Sequence, residues 1–314
     1  MSSARRVPET YDLSGDDARE TLRRAKVRLL LKDAFVRLRL ADGFSHARAL
    51  AFQLVLALIP GVIVAVGIAT MLEESEIATM IRGSLDSLAP GPAGDIFRAA
   101  FEQGAHAGNA DRIAVVAGGL ALLVAAVTTF GQIERAANRL YGVERDRPTL
   151  KKYFRATLLA LSSGLLIGAF LILAAFGRNV GDSLEDTWET LWQALRWPVG
   201  LVLLLAALAL VFRFSPRRRQ PDPTWLAVGA GVSVIGILAV TGLLHVYLNA
   251  SQSLGDTYGP LAGFIGLMLW ALLSSIALLY GLSFAAQLEA FRAGVPDPER
   301  TERVEARAAA GLPV

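Results

Sequence analysis

The sequence predicts an all-α, polytopic integral membrane protein, with six transmembrane helices and further amphipathic helices on the membrane surfaces. Three observations carry this. The 314 residues are 54% hydrophobic, with a mean hydropathy of +0.46, more apolar than the core of a soluble domain of this size requires. Charged residues, 19% of the chain, are unevenly spread and leave several windows of about 20 residues uncharged. Period-two alternation is absent from the apolar runs, which argues against a barrel of strands.

Each span is long enough to cross roughly 30 Å of hydrocarbon at about 1.5 Å per residue. The first, Ala49 to Leu72, contains Pro60, Gly61 and Gly67. A proline there either breaks the helix, freeing backbone groups to line a cavity, or only kinks it. The second runs from Ile113 to Phe130 and the third from Ala156 to Gly177. The fourth, Trp197 to Phe212, is the shortest and opens on Trp-Pro, with Pro198 in a first turn that tolerates it. The fifth covers Trp225 to Leu248 and the sixth Tyr258 to Ala286. Small-residue pairs Gly164/Gly168, Gly229/Ser233 and Gly263/Gly266 favour close helix contact.

Outside the spans, two stretches keep helical periodicity. Val27, Leu30, Leu31, Ala34 and Leu38 form an apolar stripe flanked by Arg23, Arg24, Arg28, Lys32, Arg37 and Arg39, a pattern suited to lying along anionic headgroups. The alternative is a helix packing on cytoplasmic loops. Ile77, Met80, Ile81, Leu85 and Leu88, then Ile96, Phe97, Ala100 and Phe101 beyond a Pro/Gly break, predict two short helices on the opposite surface. The organisation is thus an N-terminal cytoplasmic region over 1–47, a membrane domain over 48–290 and a disordered cytoplasmic tail over 291–314.

Basic residues set the orientation. Lys and Arg number 11 before the first span, 7 around Arg135 to Arg155 and 4 around Arg213 to Arg219, against 3 between Glu73 and Arg112 and 2 between Arg178 and Arg196. The positive-inside rule then places both termini in the cytoplasm. The polar first twenty residues lack the pattern of a cleavable secretory signal.

Four segments, in this order, resemble the BrkB/YihY-type inner-membrane proteins, formerly labelled ribonuclease BN-like. ARALAFQLVLALIPGVIVAV is similar to that family's first span, and ERAANRLYGVERDRP to its most specific motif. FRFSPRRR resembles the arginine loop after its fourth span, and TYGPLAGFIGLMLWALLSS, with Tyr258, Gly259 and Trp270, its last span. The resemblance implies a six-helix protein of the cytoplasmic membrane linked to envelope integrity, in some members to export of lipid-like molecules.

A nuclease is not expected. Metal-assisted phosphodiester hydrolysis needs converging His, Asp or Glu ligands, and the three histidines, His46, His106 and His245, fall at separated places on the predicted topology. The chain has no cysteine, no nucleotide-binding loop and no interleaved aromatics for nucleic acid. No catalytic residue, cofactor or metal is therefore expected, and the expected partners are membrane lipids and envelope-assembly proteins, not nucleic acid. With no Asp, Glu, Lys or Arg in the middle of any predicted span, ion-coupled pumping is disfavoured.

The candidate contacts lie where the second span ends. Glu134 and Asn138 share one helix face, Arg135 and Arg139 the next, and Tyr141 closes the element. Thr128, Thr129 and Gln132 carry polarity further into the membrane. On one reading the arginines bind a phosphate or carboxylate headgroup while Glu134 holds one of them in place; on the other they only anchor the helix end. Arg217, Arg218 and Arg219 repeat the choice between anionic lipid and topology signal. Two functions follow as expectations: handling or translocation of a lipid-like amphiphile, or a non-transporting scaffold for envelope-assembly proteins.

Overall fold

The computed structural model describes residues 4–71, 110–182, 186–250 and 260–299. Among these residues the chain forms eight helices and no named strand: α1 (Gly15–Arg24), α2 (Val27–Leu40), α3 (Gly43–Met71), α4 (Ala110–Leu140), α5 (Thr149–Asp182), α6 (Asp186–Phe214), α7 (Pro223–Ala250) and α8 (Pro260–Arg292). The last six each contain a stretch long and apolar enough to cross a membrane. The two helices expected near Met80 and Phe97, the start of the sixth span at Tyr258, His106 and most of the tail lie outside the described residues.

Consecutive spans pack side by side from α3 to α8, and α8 closes the ring on α3. Short connections between antiparallel neighbours favour this arrangement. Where α7 meets α8, Gly229 and Gly281 face each other so closely that a Cβ on Gly281 would lie 2.4 Å from the Gly229 carbonyl oxygen. Ser233 donates from the same contact to the Leu278 carbonyl at 3.1 Å. Gly164 and Gly168 do not act this way, since a Cβ on either would meet nothing within 4 Å. They stand on an open face, and small size alone does not make a helix contact.

The structure decides between the two readings of Pro60 and moves Pro198 from the expected first turn. α3 continues through Pro60 and Gly61 to Met71, so the chain is not broken there; Pro60 removes one intrahelical hydrogen bond and the long apolar helix absorbs it. α6 begins at Asp186, not at Trp197, which puts Pro198 inside the helix. The crossing stretch is Leu191–Phe214, and it takes in Arg196 near its start, which the expected span beginning at Trp197 leaves out.

The well-packed core occupies the half of the bundle nearest the termini. It joins Leu30, Leu38, Ile133, Leu140, Phe212, Trp225, Leu282 and Leu288, among others, with Ala4 and Val7 of the N-terminal arm. In the α2 stripe, Leu30, Ala34 and Leu38 are buried, but so is Arg37, while Val27 and Leu31 stay exposed. The physical reason is spacing: positions 30, 34 and 38 form the row facing α8, where Tyr280 and Ser283 donate to the Leu31 and Ala34 carbonyls at 3.0 and 2.7 Å, and 37 lies beside that row. α1 begins with a capping pair, the Ser14 N–H donating to the Asp17 carboxylate at 2.9 Å.

Candidate functional site

The end of α4 sets the site. Gly142 adopts a positive φ of 70°, the Val143 N–H donates to the Asn138 carbonyl and the Gly142 N–H to the Arg139 carbonyl, the paired bonds of a Schellman stop. The N-terminal arm crosses directly over this turn. A Cβ on Gly142 would lie 2.6 Å from the Arg6 Cα, and the Val7 N–H donates to the Tyr141 carbonyl at 3.2 Å. Gly142 is therefore required twice, by conformation and by close approach. The arm also meets the stretch after α8, the Arg5 N–H donating to the Pro298 carbonyl at 2.8 Å, so the first and last described residues lie at this end of the bundle.

Under the arm sits a buried ion pair. Arg218 reaches Glu289 through two bonds, Nη2 to Oε1 at 2.6 Å and Nη1 to Oε2 at 3.1 Å, with side chains only 2% and 0% exposed. Its guanidinium lies 4.6 Å from the Tyr141 ring centroid, and Nη2 also donates to the Pro8 carbonyl. Thr10 adds a donor to Glu289 at 2.5 Å. Such a fork-on-carboxylate pair fixes geometry as well as charge. Burial keeps the Tyr141 phenol well above its ordinary value and hence neutral. Arg37 lies close by, donating to Gln287 at 2.8 Å and to the carbonyls of Arg5 and Leu140. Its burial pulls the guanidinium down to about 10, still charged near neutrality.

Glu134 and Asn138 are buried, as their shared face predicts, and Arg135 is exposed. Their partners differ from those expected. Glu134 holds Arg147, 3.1 Å away, and not Arg135 or Arg139, because its helix face looks towards the α4–α5 connection. Arg147 in turn donates to the Ser215 and Pro216 carbonyls at 2.7 and 2.6 Å; burial lowers its pKa and Glu134 opposes that shift. Asn138 accepts from the Arg217 N–H and donates to Asp146, both at 2.7 Å. Together they tie the α4–α5 and α6–α7 connections into one closed layer.

The sequence-predicted arginines therefore divide. Arg218 is committed to the interior. The Arg217 side chain donates to the Asp146 carbonyl at 2.8 Å, and Arg139 to the Glu144 carbonyl at 3.3 Å. Arg219 stacks over Tyr11 at 5.2 Å. Arg135 remains exposed, with Lys152 and His46 near enough to feel its charge. Thr128 and Thr129 turn back onto the Ala125 carbonyl, so their hydroxyls are satisfied within α4. Gln132 pairs with His46 at 3.0 Å. Pro60 and Gly61 belong to α3 and take no part in this layer. Glu289, Arg147 and Lys152 were not singled out from the sequence, although a carboxylate at the end of an otherwise apolar helix is a signal that a cation must meet it; Arg37, expected among the headgroup-facing cations, is buried instead. Among the described residues no group of His, Cys, Asp or Glu could hold a metal ion.

Six helices long and apolar enough to cross a membrane, packed in a ring, define a multi-pass α-helical membrane protein. The chain belongs to the virulence factor BrkB family, whose profile matches residues 34–306. It is similar to the ribonuclease-like protein YfkH of Bacillus subtilis (strain 168), 27% identical over 85% of this chain and 97% of that one. It is also similar to UPF0761 membrane proteins of Alteromonas mediterranea, 28% identical over 59% of this chain and 62% of that one, and of Xanthomonas campestris pv. campestris (strain B100), 28% identical over 56% and 41%. No solved structure matches the chain significantly.

Proposed function

We propose that this protein binds and moves an anionic lipid or similar amphiphile in the cytoplasmic membrane, in support of envelope integrity, and that its termini face the cytoplasm. The observation that carries this reading is the distribution of charge. Most cations lie at the end holding the termini, where Arg135, Arg217 and Arg219 remain exposed around a closed layer. Anionic headgroups suit such a rim, and the positive-inside rule gives it the cytoplasmic side. The exposed Val27, Leu31 and Phe35 of α2, next to Arg28 and Lys32, suit contact with the same headgroup layer.

Chemistry on the substrate is not part of this reading. The resemblance in name to a nuclease belongs to the Bacillus protein, and we expect the purified chain to leave RNA intact. The test is reconstitution into liposomes with labelled phosphatidylglycerol, scoring exchange between leaflets. Wild-type protein should accelerate exchange, and Arg135→Glu should lose most of that acceleration while still inserting in normal amount. Equal exchange with and without wild-type protein sinks the proposal.

A further inference from the structure

We infer a second lipid contact, at the opposite end of the bundle: a cleft between α5 and α6 that seats the phosphate of an anionic phospholipid on Arg196. The cleft is shallow, with room for little more than one water-sized group, about 10 Å³, and is lined by Phe170, Leu173, Arg196, Trp197 and Gly200. Arg196 is only 8% exposed, yet its Nε has no hydrogen-bond partner. Among the described residues its ring contact is Trp197, at 5.3 Å from the guanidinium, and Trp197 itself is 61% exposed.

Position explains why such an arginine calls for an anion. Arg196 lies near the start of the apolar stretch that begins at Leu191. A cation there is costly unless it finds a counter-charge or reaches the headgroup layer. Gly200, one turn further along, admits the Phe170 ring, whose Cδ2 would be 3.2 Å from a glycine Cβ. The helices therefore close on each other at Gly200. Small-molecule pockets usually exceed about 300 Å³, so this cleft encloses no amphiphile; a phosphate would sit at its mouth on the guanidinium while the lipid chains stay in the bilayer. Leu195, Val199 and Val202 are exposed along α6 and offer those chains an apolar flank. The forked guanidinium suits a phosphodiester, and a tryptophan at its side suits the interfacial depth. This inference does not require movement of lipid: leaflet exchange can fail while the contact stands, and the reverse.

The test counts lipids on the full-length protein by native mass spectrometry in a neutral detergent, with phosphatidylglycerol or phosphatidylcholine added. Arg196→Gln should weaken phosphatidylglycerol retention by about tenfold, the size expected for loss of a charge-assisted bond, and leave phosphatidylcholine unchanged. Arg196→Lys should fall between. Equal phosphatidylglycerol retention by wild type and a helical Arg196→Gln variant overturns the inference and leaves Arg196 as an anchor only. Displacement of the lipid by millimolar inorganic phosphate overturns the lipid assignment, since the site would then serve the free ion. A second measurement leaves Arg196 untouched: brominated phosphatidylglycerol should quench tryptophan fluorescence more in wild type than in Trp197→Phe. Equal quenching overturns the inference as well.

Discussion

Arg218 and Arg196 are both arginines buried against apolar helices, and the two ends of the bundle treat them in opposite ways. At the end holding the termini, Arg218 meets a carboxylate, an aromatic ring and a backbone carbonyl. At the other end, Arg196 meets a tryptophan ring and no acceptor for its Nε. The difference teaches what each charge is for. A buried pair with its lone pairs satisfied fixes the position of everything around it, here the arm, the α6–α7 connection and the end of α8. A buried cation with no counter-charge among the described residues leaves its strongest interaction to something else.

The largest effect should come from Glu289→Gln, which leaves the Arg218 charge buried and unpaired: a loss of about 3–5 kcal/mol in chemical denaturation in detergent. The double variant Glu289→Gln with Arg218→Met should recover much of that loss. A single variant as stable as wild type would show that the pair does not organise this end.

Gly142→Ala should follow at about 2 kcal/mol, from the left-handed backbone and the encounter with Arg6. Its more specific sign is release of the N-terminal arm, read as faster tryptic cleavage at Arg5 and Arg6. An arm equally protected in the variant would refute the close approach.

Arg196→Leu should act in the opposite direction. In lipid-free detergent it removes an uncompensated cation and should be neutral or stabilising by about 1 kcal/mol; a loss comparable to that of Glu289→Gln would erase the distinction between the two arginines. The smallest expected effect is at the rim of the paired end. Asp17 is held below its ordinary value first by the Ser14 N–H and hydroxyl, with Arg292 assisting. A carboxylate lowered in the folded state contributes stability above its unfolded value, and that contribution disappears as pH falls through the folded one. The protection of α1 amides relative to their intrinsic exchange rates should therefore fall below about pH 4, and Asp17→Asn should remove that pH-dependent fall.

The spans were legible because hydropathy is a local property, and one helix length of apolar residues is enough to declare a crossing. The turn at Tyr141 and Gly142 was legible for a related reason: a helix ending in a polar, basic motif is visible in the chain itself. Arg196 was missed because Trp197 and Pro198 look like a helix start, whereas α6 extends a further three turns before them. Glu134 was assigned a partner on its own helix. Local spacing offered Arg135 and Arg139, but the structure brings Arg147 to it from the next connection. The N-terminal arm gave no periodic signal, since an extended polar segment buries Ala4 and Val7 only by lying on other elements.

The sequence by itself determined how many times the chain crosses, where its cations gather and where α4 stops, because transfer from water, charge and backbone conformation act within a single stretch. Which arginine is paired, which is exposed and which is left facing a cleft was decided only by tertiary structure. Those outcomes depend on groups as far apart in the chain as Thr10 and Glu289, and no local pattern records which of them will meet.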